Sequence, residues 1–363
     1  MKHFIVGPVE MYQETKDVYQ QGITYFRTDE YSKITNDCLK RLNCLIGNDV
    51  ENSLIYLAAS GTAAMEAVVE NCVSNNDKAL VINGGTFGKR FCDLLKYHNI
   101  DFDSVNLAWN ETLTKEHLKP YANEKYTVMF VNLHETSTGQ LYDIQMLSEF
   151  CQKKDMLLIV DAISTFLADD FDMKKYGIDA TIISSQKGLC LSPGMSMVSF
   201  SERMLEKVKN NNQVSSWYFD FKDYLRNIER GQTPYTPAVC IMYELKAMLD
   251  LIEKKGGKKA WLEIIKEKTK YFRKKAQDLG FKIPNYPLSD MLTPLVFEDV
   301  DAYEVIQVLK NKYRIFVNPC GGDLAHMLMR ISHIGNTNLK DIDELLDKML
   351  LSIEEVKKQG ALV

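Results

Sequence analysis

The sequence predicts an α/β protein with a mostly parallel central sheet flanked by helices, followed by a smaller C-terminal α+β domain. Three observations predict it. Between Leu54 and Phe200, short apolar runs alternate with amphipathic stretches. The runs are rich in Val, Ile and Leu and lack polar alternation, the pattern of strands buried on both faces. After Pro237 the texture changes to charged helices interleaved with short strand-like pieces.

The runs are Leu54–Ala58, Ala79–Ile82, Thr127–Asn132, Leu157–Val160, Thr181–Ser184 and Met195–Phe200. Most are separated by enough chain for a crossover helix, as Met146–Lys154 is between the third and fourth. The last two are joined only by Gly188–Gly194, which predicts a turn and an antiparallel strand. Ala238–Glu253 reads as a helix ended by Lys254-Lys255-Gly256-Gly257-Lys258-Lys259, and Trp261–Leu279 as a second, strongly charged helix. Thr293–Phe297 and Ile315–Val317 read as short strands, with a closing helix over Leu339–Lys357. A chain of 363 residues suits two domains. The expected division is an N-terminal arm over 1–20, a large domain over 21–250 and a small one over 251–363.

Composition narrows the function. With 44 Lys and Arg against 49 Asp and Glu, the net charge is −5, which leaves no basic face for nucleic acid. No apolar run is long enough to span a membrane, and Met1–Pro8 is too soon broken by proline to be a signal peptide. Eight scattered Cys without a CxxC pair fit a reduced, cytoplasmic protein without structural zinc. None of the six His has metal-ligand spacing, so no metal is expected.

Two charges stand alone. Lys187 is the only charged side chain from Ala180 to Phe200, where a 26% charged composition would place about five. A lysine just after a buried strand either snorkels to water or is kept near neutrality to form a Schiff base. Asp161 is the only charge from Met156 to Ala168, at the carboxyl end of Leu157–Val160. That edge is where open α/β sheets bind ligands. A buried Asp and a buried Lys in successive βα units each need an opposite charge.

Ser60-Gly61-Thr62 lies between a strand and the helix former Ala63-Ala64-Met65-Glu66-Ala67. Free amides and the helix dipole make such a junction an anion site, although a Ser cap explains the same letters. The rival loop, Asn83-Gly84-Gly85-Thr86-Phe87-Gly88-Lys89-Arg90, fails as a dinucleotide loop because residue 83 is not Gly. It fails as a P-loop for the same reason, and because residue 90 is neither Ser nor Thr. Phe87 within it, in a glycine-bounded loop at a strand's carboxyl end, reads either as a core aromatic or as a cover for a flat ring. His134-Glu135-Thr136-Ser137-Thr138-Gly139 is polar enough to be a site loop.

In order along the chain stand Gly7-Pro8-Val9, Ser60–Ala67, His134–Gly139, Val160-Asp161-Ala162-Ile163-Ser164, Ser184-Ser185-Gln186-Lys187, Ser216-Trp217-Tyr218-Phe219-Asp220 and Met329-Arg330-Ile331. This series resembles the class V pyridoxal-phosphate aminotransferases of fold type I, in the alanine–glyoxylate / serine–pyruvate branch, over nearly the whole chain. The resemblance implies pyridoxal 5'-phosphate held covalently by Lys187, which also moves the substrate proton, with Asp161 paired to the ring nitrogen. Ser60, Gly61 and Thr62 would hold the phosphate, Phe87 would stack on the ring and Thr136 would contact its hydroxyl. Gln186 would lie beside the phosphate and Arg330 would fork onto the substrate carboxylate. Thr236 would reach the phosphate from the second chain of a homodimer. The implied partners are small amino and oxo acids, with alanine or serine as donor and glyoxylate or pyruvate as acceptor.

Tyr25-Phe26-Arg27-Thr28-Asp29-Glu30-Tyr31 departs from the family pattern near the substrate, and the small domain is less similar outside Arg330. A 2-aminoethylphosphonate–pyruvate aminotransferase would use the same arginine. A cysteine desulfurase is disfavoured by Gln186 before the lysine. A nicotinamide-binding or non-catalytic α/β protein is disfavoured by the incomplete glycine loop and the solitary Lys187.

Overall fold

A computed structural model describes residues 1–20, 22 and 24–360. The expected start of a large domain at residue 21, and residues 361–363 at the chain's end, lie outside the described residues. A seven-stranded sheet runs in spatial order Leu54–Leu57, Ser196–Phe200, Ala180–Ser184, Leu157–Asp161, Val128–Asn132, Lys78–Asn83 and Asp101–Asn106. The last five pair in parallel, and Ser196–Phe200 is antiparallel to both its neighbours. The expected antiparallel strand is therefore present. The five strands Leu54–Leu57, Val128–Asn132, Leu157–Asp161, Ala180–Ser184 and Ser196–Phe200 are buried at every position, which is why their sequences read as unbroken apolar runs.

Asp101–Asn106 was not among the expected strands. It pairs only with Lys78–Asn83 at the sheet edge, and most of its side chains stay partly in water. Its acid-rich sequence therefore carries no run of apolar residues. Leu157–Asp161 reaches one residue further than expected, because Asp161 itself is in register with Asn132 and Ile182.

Strand ends set where the helices begin. Ser60 caps the helix Gly61–Cys72 by accepting from the Ala63 amide at 3.3 Å. Asp143 caps Ile144–Lys153 in the same way through Met146. The helices Val239–Lys254 and Gly257–Asp278 almost abut: the expected six-residue break shrinks to Lys255-Gly256. Two successive glycines with positive φ, Gly256 at 100° and Gly257 at 80°, turn the chain.

A second, three-stranded antiparallel sheet joins Leu292–Val296, Leu328–Ser332 and Asn318–Pro319. It packs with the helices Ala302–Tyr313 and Leu339–Gly360 around a cluster that includes Leu295, Val305, Leu309, Met329, Leu345 and Met349. The main cluster follows the central sheet. The N-terminus ties the two together. Lys2–His3 pairs in parallel with Ile315–Phe316, Phe4 enters the smaller cluster, and the Val9 amide donates to the Gln186 carbonyl at 3.2 Å. Among the described residues, no helix is long and apolar enough to cross a membrane, and all eight cysteines are free.

Candidate active site

Parallel strands deliver their carboxyl ends to one edge, and every chemistry-bearing loop leaves from that edge. Leu54–Leu57 leads to Ser60-Gly61-Thr62, Lys78–Asn83 to Phe87, Val128–Asn132 to His134–Thr136, and Ala180–Ser184 to Lys187. Asp161 ends its own strand between them.

Lys187 is only 8% exposed, and no carboxylate pairs with it among the described residues. Its Nζ lies 3.5 Å from Thr136 Oγ1 and 5.3 Å from the centre of the Phe87 ring. Burial pushes the amine down from 10.5 to about 8, Asp161 opposing the shift and Arg330 adding to it. Gly7 (φ 151°) lies against it, where a Cβ would come within 3.3 Å of Lys187 Cγ. A side chain at residue 7 would press on the lysine stem in a backbone conformation that L residues rarely adopt.

Asp161 is 5% exposed. One oxygen accepts from the Ile163 amide at 2.8 Å, and the other has no protein donor among the described residues. Burial raises its pKa to about 6, against the Ile163 hydrogen bond and Lys187. Each of these buried charges is thus incompletely compensated.

Thr136 links the two loops. Its Oγ1 donates to Ser164 Oγ at 2.8 Å, and its carbonyl accepts from Arg330 Nη1 at 2.8 Å. Arg330 Nη2 donates to the Pro319 carbonyl at 2.5 Å, while its Nε is buried without a partner. Of the five N–H groups on a guanidinium, two are committed to main-chain carbonyls and three remain. Burial holds Arg330 below its ordinary pKa, and no acid pairs with it among the described residues. Gln186 accepts from Ser184 Oγ at 2.5 Å. The amides of Gly61 and Thr62 meet no protein acceptor among the described residues, and Thr62 Oγ1 accepts from Arg90 Nη1 at 2.9 Å.

Thr236 stands apart from the others. It is exposed and makes no hydrogen bond to Lys187, Asp161 or the Ser60–Thr62 turn. Beside it Tyr235 stacks on Tyr218 with ring centres 5.1 Å apart, and Tyr218 donates to the Ala58 carbonyl, just before the turn. The adjacent Trp217 is 81% exposed.

Glu135 and His134 were noted in sequence only as parts of a polar loop. Glu135 is fully buried and accepts from the amides of Phe87 and Gly88, each at 3.2 Å, and from the Ser137 amide and hydroxyl. It caps the helix Thr86–Tyr97 from outside, supplying the negative charge that a helix start favours and fixing Phe87 in place. Gly85 must lack a side chain, since a Cβ there would sit 2.5 Å from Ser137 Oγ and 2.6 Å from Glu135 Cδ. Burial still raises the Glu135 pKa, against these donors. His134 is buried, with Nδ1 3.3 Å from the Ser164 carbonyl. Burial and then Lys187 push it down to about 3, so it stays neutral. The signal for Glu135 was an acid among small polar residues, but apart from Ser137 its partners, Phe87 and Gly88, lie 48 and 47 residues away along the chain and no local pattern shows them.

The Lys187 shift gives a direct expectation. A neutral amine attacks aldehydes and an ammonium does not, so the reactive fraction grows as pH rises toward the lysine's pKa. In cofactor-free protein, trapping of a small aromatic aldehyde on Lys187 by borohydride should speed up about tenfold per pH unit below pH 8 and level off above it. Rates followed by mass spectrometry check this. A rise that continues to the ordinary lysine value would show that the amine is not desolvated.

The chain is similar to known proteins over nearly its whole length. The family model described as Aminotransferase class-V matches residues 10–345. An uncharacterized aminotransferase of Methanocaldococcus jannaschii is 28% identical, over 98% of this chain and 94% of that protein. The serine–glyoxylate aminotransferase of Arabidopsis thaliana is 27% identical, over 92% of this chain and 86% of that protein. Among solved structures, the alanine–glyoxylate aminotransferase of Nostoc sp. superposes with a TM-score of 0.91 at 24% identity, covering 96% of this chain and 94% of that one.

Proposed function

The chain belongs to the class V aminotransferases, and from that premise we propose that it transfers the amino group of alanine or serine to glyoxylate or pyruvate by a ping-pong mechanism using pyridoxal 5'-phosphate. The observation that carries the reading is the pair of buried, mutually unpaired charges, Lys187 and Asp161, at one sheet edge.

The donor set fits that cofactor. The Asp161 oxygen without a donor suits a protonated ring nitrogen, and the Gly61 and Thr62 amides suit a phosphate at a helix start. Phe87, fixed by Glu135, offers a ring to stack on, and Thr136 Oγ1 lies within reach of Lys187. Ser60 shapes the phosphate turn by capping its helix, and Gln186 lies at the foot of the lysine loop. When bound, pyridoxal phosphate supplies a carbonyl that takes up the amino group and a cationic ring that accepts the electrons released with the α-proton. Lys187, held near neutrality, takes that proton from the substrate carbon and returns it at the other end of the exchange. Asp161 keeps the ring nitrogen charged. Arg330 grips the substrate carboxylate through its three free N–H groups while two carbonyls hold it still. The donor keto acid then leaves before the acceptor enters the same grip.

A screen of amino donors against the cofactor-loaded protein, read by conversion of the bound cofactor to its amino form, tests the substrate reading. Alanine or serine should convert it fastest. Conversion by an aminophosphonate with none by alanine would move the protein to the phosphonate branch.

Arg330→Ala should lower kcat/KM for alanine by about 2–5 kcal/mol, the range for truncating one partner of a buried charge pair. Arg330→Lys should recover part of it, and cofactor affinity should hardly change. Undiminished turnover in the alanine variant would place the carboxylate elsewhere.

The site is completed by a second copy of the chain. Thr236 faces outward among Trp217, Tyr218 and Tyr235, an exposed aromatic surface beside the phosphate turn whose covering would exclude water. Lys187→Ala and Thr236→Glu, each inactive alone, should complement when co-assembled. In a mixed dimer one site receives both intact residues, so random pairing restores roughly a quarter of the parent's activity. If Thr236 served its own chain's site, mixing would restore nothing.

A further inference from the structure

Arg90 sits one helical turn after Phe87 in the helix Thr86–Tyr97. Its guanidinium carbon lies 4.7 Å from the centre of the Phe87 ring, and its Nη1 donates to Thr62 Oγ1 at 2.9 Å. No acid pairs with it among the described residues, whereas its neighbour Lys89 is turned outward to Asp93 at 2.7 Å. A cation is thus held between the ring-covering residue and the phosphate turn with its charge uncompensated by the protein.

A threonine hydroxyl has one hydrogen and two lone pairs. With one lone pair accepting from Arg90, the hydrogen of Thr62 points away from the guanidinium, and no protein acceptor takes it among the described residues. We propose that Arg90 is a positioning residue for the cofactor phosphate: it fixes the Thr62 hydroxyl as a donor to that phosphate while its own place is fixed by stacking on Phe87. This rests on the pyridoxal phosphate reading above and extends it to a residue outside the family blocks recognised in the sequence. An arginine suits the task because its planar group stacks and donates at once, which a lysine ammonium does not.

The experiment compares binding of pyridoxal 5'-phosphate and of pyridoxal, which lacks the phosphate, to cofactor-free protein by equilibrium dialysis. The parent should bind the phosphorylated ligand far more tightly. If it does not, the cofactor reading itself fails, whatever Arg90 does. Arg90→Gln should weaken pyridoxal phosphate about ten- to a hundredfold, the range for a hydrogen bond to a charged group, and leave pyridoxal within about twofold. Arg90→Lys should recover part of the loss, and carries the same comparison should the glutamine variant not fold. In a Thr62→Val background the Arg90→Gln loss should shrink to about twofold or less, since the hydroxyl it positions is gone. Equal weakening of both ligands would make Arg90 a plain staple between two helices. A full loss persisting in Thr62→Val would mean that it acts without Thr62. Either result overturns the proposal.

Discussion

The site depends on keeping two opposite charges buried at one sheet edge without letting them satisfy each other. Desolvation drives Lys187 down and Asp161 up, and each feels the other as a partial correction. Were they to close into an ion pair, both shifts would collapse and the lysine would be a spectator ammonium. The parallel sheet prevents this. Asp161 is locked in register between Asn132 and Ile182, and Lys187 leaves the next strand through a turn whose Gln186 carbonyl is held by Val9. The backbone, not the side chains, keeps the charges apart.

A third buried charge makes the arrangement rigid. Glu135 draws its donors from the helix start that carries Phe87 and from Ser137, so one carboxylate ties the loop after Val128–Asn132 to the loop after Lys78–Asn83. The next residue, Thr136, carries that rigidity to Ser164 through its hydroxyl and to Arg330 through its carbonyl. Arg330 lies on the smaller sheet, and its other carbonyl partner is Pro319 in the neighbouring strand. A carboxylate gripped by its remaining N–H groups is therefore positioned by both sheets. The N-terminal arm adds a second tie, from the smaller sheet's vicinity to the lysine turn.

Much of this was legible in the sequence because burial leaves compositional traces. Strands covered on both faces read as apolar runs, and lone charges within such runs, Lys187 and Asp161, stand out for the physical reason that makes them reactive. Asp101–Asn106 was hidden because an edge strand need not be apolar, and Gly257–Asp278 began early because the glycine pair Gly256-Gly257 turns the chain within two residues. Glu135 and Arg90 were visible as letters but not as parts, since their partners lie in other loops. Ordered family blocks carried the chemistry. The sequence left the amino donor open at Tyr25–Tyr31, where this chain departs from that pattern.

The inventory of charge explains what such a site selects. Arg330 and Arg90 bring two guanidiniums, and Lys187 an amine whose pKa burial lowers to about 8, against the two carboxylates of Asp161 and Glu135, and the buried His134 stays neutral. Much of Glu135's charge is already spent on main-chain amides. The sheet edge is thus left with uncommitted donors for an anion, the Arg330 N–H groups and the amides of Gly61 and Thr62. A ligand that brings a phosphate and a carboxylate meets those donors, provided it also offers Asp161 a positive atom. A neutral or purely cationic molecule would leave the buried Arg330 without a partner. On that reading a preference for anionic ligands comes first from donors the protein leaves uncommitted, and only second from particular contacts.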